Sequence, residues 1–240
     1  RQPRAIYLTR SFMKFGHHLN GAVTIEWRRF AVEYKALKKE LKFPAEEERS
    51  NGYDTIAEID NESDDASGAF AQVFRNKREK MRSIVRFNEI LERSEGRVAN
   101  FYSEECEKRL VRRVGALQRW ICQLRVAFDI VSDTSATPVG PYLSALVSSR
   151  CLAREIDAAA CFLSLNATAF YKILKKFDKR TGLSTREGRM EDLAESLPYL
   201  WDGGGVLAAV ADEAVRLETE LKEILPTRPE GWSGTTAYAL

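Results

Sequence analysis

No stretch of this 240-residue chain approaches the ~18 to 20 consecutive apolar residues that a membrane-spanning helix needs. Strand-like alternation of useful length is missing, and no internal repeat occurs. Histidine is scarce: the two present, His17 and His18, are adjacent and cannot both face one metal from a regular helix, which argues against a zinc site. The four cysteines, Cys106, Cys122, Cys151 and Cys161, form no Cys-x-x-Cys pair. Each falls in or near a helical apolar pattern, the placement of reduced packing thiols in a cytosolic protein. Residues Arg1 to Phe12 contain three arginines but no apolar core of signal-peptide length, so a secretory route is not expected. The Asn-x-Ser/Thr matches at Asn61 and Asn166 are then read as chance.

Catalytic signatures are equally thin. The glycines at 203 to 205 lack the preceding strand and the Gly-Lys-Ser/Thr ending of a phosphate loop, and fit a flexible turn before a helix. There is no Gly-x-Ser-x-Gly elbow and no His-Glu-x-x-His pair. Most acids sit in one segment or scatter along helices opposite bases. The expectation is a non-enzymatic domain without metal or cofactor.

What the chain has is charge, unevenly spread. Lys and Arg number 37 and Asp and Glu 35, a formal +2. Between Pro44 and Gly68, however, nine acids face the single base Arg49, a net −8 that leaves +10 on the remainder. A basic body carries an acidic insert. The insert is poor in large apolar residues and cannot offset its chain entropy by burial, so 44–68 is expected to be mostly disordered.

The apolar pattern predicts an all-α protein. Trp27, Phe30, Tyr34, Leu37 and Leu41 recur at one-face spacing, predicting a helix over 26–42 stopped by Phe43-Pro44. Helix is expected again from Ala69 to about Asp133, with an interruption near Gly96. Within it Leu110, Val114, Leu117, Ile121, Leu124, Phe128 and Val131 keep a heptad rhythm, a bundle or coiled-coil seam. After a loop over 132–141, further helices are predicted at Tyr142 to Lys179, Glu187 to Leu197 and Val206 to Leu225. Thr181-Gly182 marks a C-terminal glycine stop. The domain is therefore placed at 13–225, with an extension at 1–12 and a linker-like tail at 226–240.

Two basic helix faces stand out. With Lys172 at 0° and ~100° per residue, Lys175, Lys176 and Lys179 fall with it inside an arc of about 100°. Phe170, Ile173, Leu174 and Phe177 lie on the other side and are expected to pack, Phe177 included. Four ammonium groups so close repel one another, so this face is either solvated or built for a polyanion. In the 26–42 helix, Tyr34 and Lys38 form an i, i+4 pair, a hydroxyl above an ammonium that suits a phosphate oxygen. Lys35, Lys39 and Lys42 point further round, where a solvated face suits them better, and Lys14 lies just upstream.

At these residues the chain resembles an SPX domain. Met13-Lys14-Phe15-Gly16, Glu26-Trp27 and Tyr34-Lys35-Ala36-Leu37-Lys38-Lys39 are similar to the family's opening. Leu165-Asn166-Ala167-Thr168-Ala169-Phe170 running into Lys172-Ile173-Leu174-Lys175-Lys176-Phe177-Asp178-Lys179 is similar to its closing lysine motif. The segment Phe87 to Gln118 is similar to its long central helix. The resemblance covers about 13–182. It implies an N-terminal helical hairpin on a bundle with two long helices and short C-terminal helices. It also implies a cytoplasmic sensor of phosphate status that binds inositol polyphosphates or pyrophosphates, such as inositol hexakisphosphate. By that resemblance Tyr34, Lys38 and Lys176 would form a phosphate-binding cluster, with Lys172, Lys175 and Lys179 beside it and Lys14 nearby. The family's effectors include polyphosphate polymerases and phosphate transporters, attached or as partners. Twelve residues precede a motif that usually begins the family's chains, and Phe177 stands where histidine or tyrosine is common.

Two further readings remain open on the residues. The run Arg75, Lys77, Arg78, Lys80, Arg82 and Arg86, with Arg109, Arg112 and Arg113, is a solvated face or a nucleic-acid stripe, though a nucleic-acid partner is not expected. The acidic insert is a passive loop, or it screens the lysines when ligand is absent.

Overall fold

The computed structural model describes residues 15, 19, 24–42, 65–131, 139–201 and 205–224, with backbone alone at 65–73, 128–131 and 139. Among them every regular element is helical, and no helix is long and apolar enough to cross a membrane. A 3-10 turn, Glu26–Phe30, precedes helix α1, Tyr34–Glu40. Helix α2, Asp65–Phe101, runs into a π-helical stretch, Tyr102–Leu110, and then α3, Val111–Val131. Helix α4 spans Val139–Thr181, α5 Arg186–Ser196, and α6 Gly205–Ile224, with a 3-10 turn at Pro198–Leu200 between the last two.

The chain divides into two compact units. The first joins residues 1–100 to 164–198. Its core gathers Trp27, Phe30 and Leu37 from the N-terminal segment, Phe87 and Leu91 from α2, and Phe170, Ile173 and Phe177 from α4, all buried. Phe87 and Phe177 stack with ring centroids 4.6 Å apart. Phe177 packs, as its place opposite the lysines predicts.

The second unit joins 101–163 to 199–240. The predicted seam is buried from Leu110 through Val114, Leu117 and Ile121 to Leu124. Against it lie Leu207, Val210, Ala214, Leu217 and Leu221 of α6, on one face at helical spacing. Tyr142 donates its hydroxyl to the Leu124 carbonyl at 2.9 Å, and the Phe101 and Phe162 rings meet at 4.1 Å. Arg109 and Arg113 both pair with Glu155.

Several boundaries depart from the sequence expectation. The 26–42 helix is broken: Ala31 is extended at φ −74°, ψ 153°, and the chain re-enters helix only at Tyr34. Gly96 does not interrupt α2. It lies on the exposed side with nothing within 4 Å, where a glycine costs a helix only about 1 kcal/mol. The departure from α-helix comes six residues later, as the wider π turn. Asp65 to Gly68, assigned to the acidic insert, are the first turn of α2, while 44–64 lie outside the described residues. Helix α4 begins at Val139, before Pro141, because proline within a first turn removes no intrahelical hydrogen bond.

The cysteines are corrected too. Cys106 is buried, and burial pushes its thiol up to about 12, but Cys122, Cys151 and Cys161 are exposed beside the apolar stripes rather than within them. All four are free. The glycine stop is as predicted: Gly182 takes φ +75°, a conformation that glycine adopts without a Cβ clash, and its N–H donates to the Asp178 carbonyl at 2.9 Å.

Candidate functional site

The candidate lysines lie in the first unit, and the break before α1 is what aims two of the site groups. The Ala31 N–H still donates to the Arg28 carbonyl at 3.3 Å, but past this extended residue the N–H groups of Val32 and Glu33 have no acceptor in either helix. Val32 donates instead to the Asn166 side-chain oxygen at 2.9 Å, across 134 residues of sequence. Glu33 N–H donates to the Ser94 hydroxyl at 3.2 Å, and that hydroxyl donates to the Ile90 carbonyl at 2.8 Å. The Glu33 carboxylate accepts from Arg93 at 2.7 Å and pairs with Arg97 at 3.4 Å. Asn166 and Ser94 are both fully buried polar side chains. The start of α1 is thus tied to both α2 and α4 before Tyr34 and Lys38 emerge from it.

Tyr34 is half-buried, and burial raises its phenol above the ordinary tyrosine value, so it stays a neutral hydroxyl at physiological pH. Its ring meets Phe15 edge-on with centroids 5.2 Å apart. On the same Phe15 ring sits the Lys172 ammonium, 4.0 Å from the centroid. Phe15 therefore links the N-terminal segment to both basic faces. It sits in the Met-Lys-Phe-Gly stretch, whose Lys14 lies outside the described residues.

On α4, Lys172, Lys175 and Lys179 are exposed and Lys176 is half-buried, while Phe170, Ile173, Leu174 and Phe177 are buried. The two-faced helix has the predicted orientation. Burial lowers the Lys176 ammonium below the ordinary lysine value, and repulsion from Lys38, Arg180 and Lys42 lowers it further. So α1 and α4 bring Lys38 and Lys176 together. Sequence reasoning set Lys42 aside as solvated and did not single out Arg180. The signal for Arg180 was its i+4 spacing from Lys176. No ion pair neutralises Lys176 among the described residues.

One carboxylate does fall within the lysine motif, and it is engaged elsewhere. Asp178 accepts from the Thr185 N–H at 3.0 Å, the Thr185 hydroxyl at 2.9 Å and the Arg186 N–H at 3.0 Å, capping the start of α5. Burial pushes its carboxyl up, but these three bonds and the nearby Arg186 together outweigh it and hold the carboxyl below the ordinary aspartate value. A depressed value gives stability that is present above the ordinary pKa and lost as pH falls through the lower, folded one. Asp178→Asn is expected to flatten the fall in melting temperature below pH ~4. Thermal unfolding across that range checks it, and an unchanged slope would assign the acid sensitivity to other groups.

Asn166 also explains its own sequon. A fully buried side chain whose oxygen holds the Val32 N–H is no glycan acceptor in the folded chain.

Among the described residues, an all-helical fold that gathers ammonium groups without ion pairs beside a neutral phenol defines a class: a helical domain with a concentrated basic surface. The model of the SPX domain family matches the chain over residues 13–89 and 159–193, segments that carry both basic motifs. Among solved structures, the SPX domain of glycerophosphodiester phosphodiesterase 1 from Chaetomium thermophilum, in complex with inositol hexakisphosphate, is similar in fold. It has a TM-score of 0.52 and 20% identity, covering 88% of this chain and 99% of that one. No curated protein matches in sequence. Over residues 13–89 and 159–193 the chain carries the sequence of an SPX domain.

Proposed function

We propose that this domain binds inositol polyphosphates or pyrophosphates at Tyr34, Lys38 and Lys176, with Lys172, Lys175, Lys179 and Lys14 around them. The observation that carries the reading is Lys176: a half-buried ammonium repelled by Lys38, Lys42 and Arg180, with no ion-pair partner among the described residues. A fold bears such repulsion more readily where an anion relieves it. The inositol hexakisphosphate bound to the SPX domain of similar fold supports the ligand class.

The residues divide the work by chemistry. Lys176 and Lys38 supply close, partly desolvated charge, and the neutral Tyr34 hydroxyl can donate to a phosphate oxygen whatever the charge around it. Lys172, Lys175 and Lys179 are exposed point charges, each worth about 1 kcal/mol or less. Together such contacts amount to roughly micromolar affinity. The domain is non-catalytic in this reading. It reports phosphate status, in the cytoplasm, to an effector that is attached or bound as a partner, such as a polyphosphate polymerase or a phosphate transporter.

Calorimetric titration with inositol hexakisphosphate, an inositol pyrophosphate analogue and orthophosphate tests the reading. The two inositol ligands are expected to bind near micromolar and to weaken steeply with salt, because exposed charges are screened beyond ~8 Å at physiological ionic strength. Orthophosphate is expected to bind far more weakly. Equal affinities for all three, or heat from none, would overturn it.

A further inference from the structure

The middle of α2 carries a second, chemically different surface, independent of the lysine site. Phe74, Met81 and Val85 are 68%, 59% and 51% exposed. With Arg78 they fall within an arc of about 60° of the helix. Directly beside them, at ~80° to 120° from Phe74, come Arg75, Arg82 and Arg86. The core-facing residues Phe87, Leu91 and Ser94 lie on the far side, all buried. An open groove of about 450 Å³ runs among the four arginines, with Glu79 the one carboxylate on its rim. Further along the same helix Arg93 and Arg97 are held by Glu33, whereas none of Arg75, Arg78, Arg82 and Arg86 has an ion pair among the described residues.

We infer that this face docks on an anionic lipid surface. Three large apolar side chains in line with a row of arginines make a basic amphipathic face, which settles at the headgroup–acyl boundary. The apolar side chains enter the boundary and the guanidinium groups hold lipid phosphates. Nucleic acid would use the arginines but gives exposed Phe74, Met81 and Val85 no role along a phosphate backbone. Pairing with a second copy would bring like-charged arginine rows together. The shallow burial available to three side chains makes the attachment reversible, and docking leaves the lysine site open to its soluble ligand.

The test is flotation of the full chain with vesicles at physiological salt. Binding is expected to mixed phosphatidylserine–phosphatidylcholine vesicles of roughly one-to-two composition and not to pure phosphatidylcholine. The triple variant F74S/M81S/V85S is expected to bind at least about tenfold more weakly. The variant R75Q/R78Q/R82Q/R86Q is expected to lose vesicle binding. Both change exposed positions, and unchanged helical circular dichroism checks that they fold. Lys38→Ala/Lys176→Ala is expected to float like the parent, and inositol hexakisphosphate is expected not to displace it. These two arms separate this surface from the proposed lysine site. Vesicle binding indifferent to the serine variant would overturn the proposal. So would binding abolished by inositol hexakisphosphate, tighter binding to a DNA or RNA duplex than to vesicles, or self-association through this face in sedimentation.

Discussion

Asn166→Leu is expected to weaken inositol hexakisphosphate binding roughly tenfold while removing no charge from the protein. The side-chain oxygen of Asn166 is the acceptor for Val32 N–H, in a fully buried position where no water can substitute. Leucine nearly matches asparagine in size but offers no acceptor. The orphaned N–H costs about 1–3 kcal/mol, which for a chain of this length lowers the melting temperature by a few degrees per kcal/mol. The cost falls on the non-helical 31–33 step, and the first residue of α1 after it is Tyr34. Released from α4, the start of α1 no longer holds Tyr34 and Lys38 at a fixed distance from Lys176. Calorimetry beside thermal unfolding separates the two effects. A lowered melting temperature with unchanged affinity would make Asn166 a structural strut and nothing more. Ser94→Ala is expected to act in the same direction and less, because its bond to Glu33 is longer at 3.2 Å and lies at a less buried point.

Lys176→Met is expected to do the opposite to stability and the same to binding. The wild-type ammonium is depressed by burial and by Lys38, Arg180 and Lys42, so the folded state holds the charged form at a disadvantage. That disadvantage is present wherever the lysine is protonated. It is relieved as pH rises through the lowered folded value toward the ordinary lysine value of about 10.4, a window in which the unfolded chain binds more protons. Methionine keeps the stem and removes the charge, so the variant is expected to melt higher than the parent at neutral pH and to gain less stability on alkalinisation. Its affinity for inositol hexakisphosphate is expected to fall at least about tenfold, since a charge-assisted contact is worth about 1.5–3 kcal/mol. In the parent protein, affinity is expected to decline in the same alkaline window, because Lys176 gives up its proton before an ordinary lysine does. A variant that melts lower, or that binds the ligand as the parent does, would remove Lys176 from the centre of the proposed site.

Much of the fold is legible along the chain because helix periodicity is a local property. The seam from Leu110 to Leu124 and the split of α4 into a lysine side and a phenylalanine side both follow from 3.6-residue spacing alone. The glycine stop at Gly182 follows from chain chemistry just as locally. The break at 31–33 was hidden for the same reason. Trp27, Phe30, Tyr34, Leu37 and Leu41 keep their spacing whether the chain is one helix or a 3-10 turn, an extended step and a second helix. What selects the broken form is a pair of acceptors, Ser94 and Asn166, that arrive from α2 and α4. The exposed cysteines show the limit of the same signal: position near an apolar stripe leaves open which side of its edge a residue occupies.

The candidate site divides in the same way. Spacing and composition alone put four lysines on one side of α4, stand Tyr34 and Lys38 one above the other, and reveal a basic body beneath the charge total of +2. Periodicity and composition need no partner. It took the folded chain to bring Lys38 and Lys42 against Lys176, to engage Asp178 with the start of α5, and to put Phe15 between Tyr34 and Lys172. Each of these is a meeting of groups from different segments, or across a turn, and electrostatic repulsion or a hydrogen bond depends on distance in space. The spacing of letters along the chain does not contain that distance.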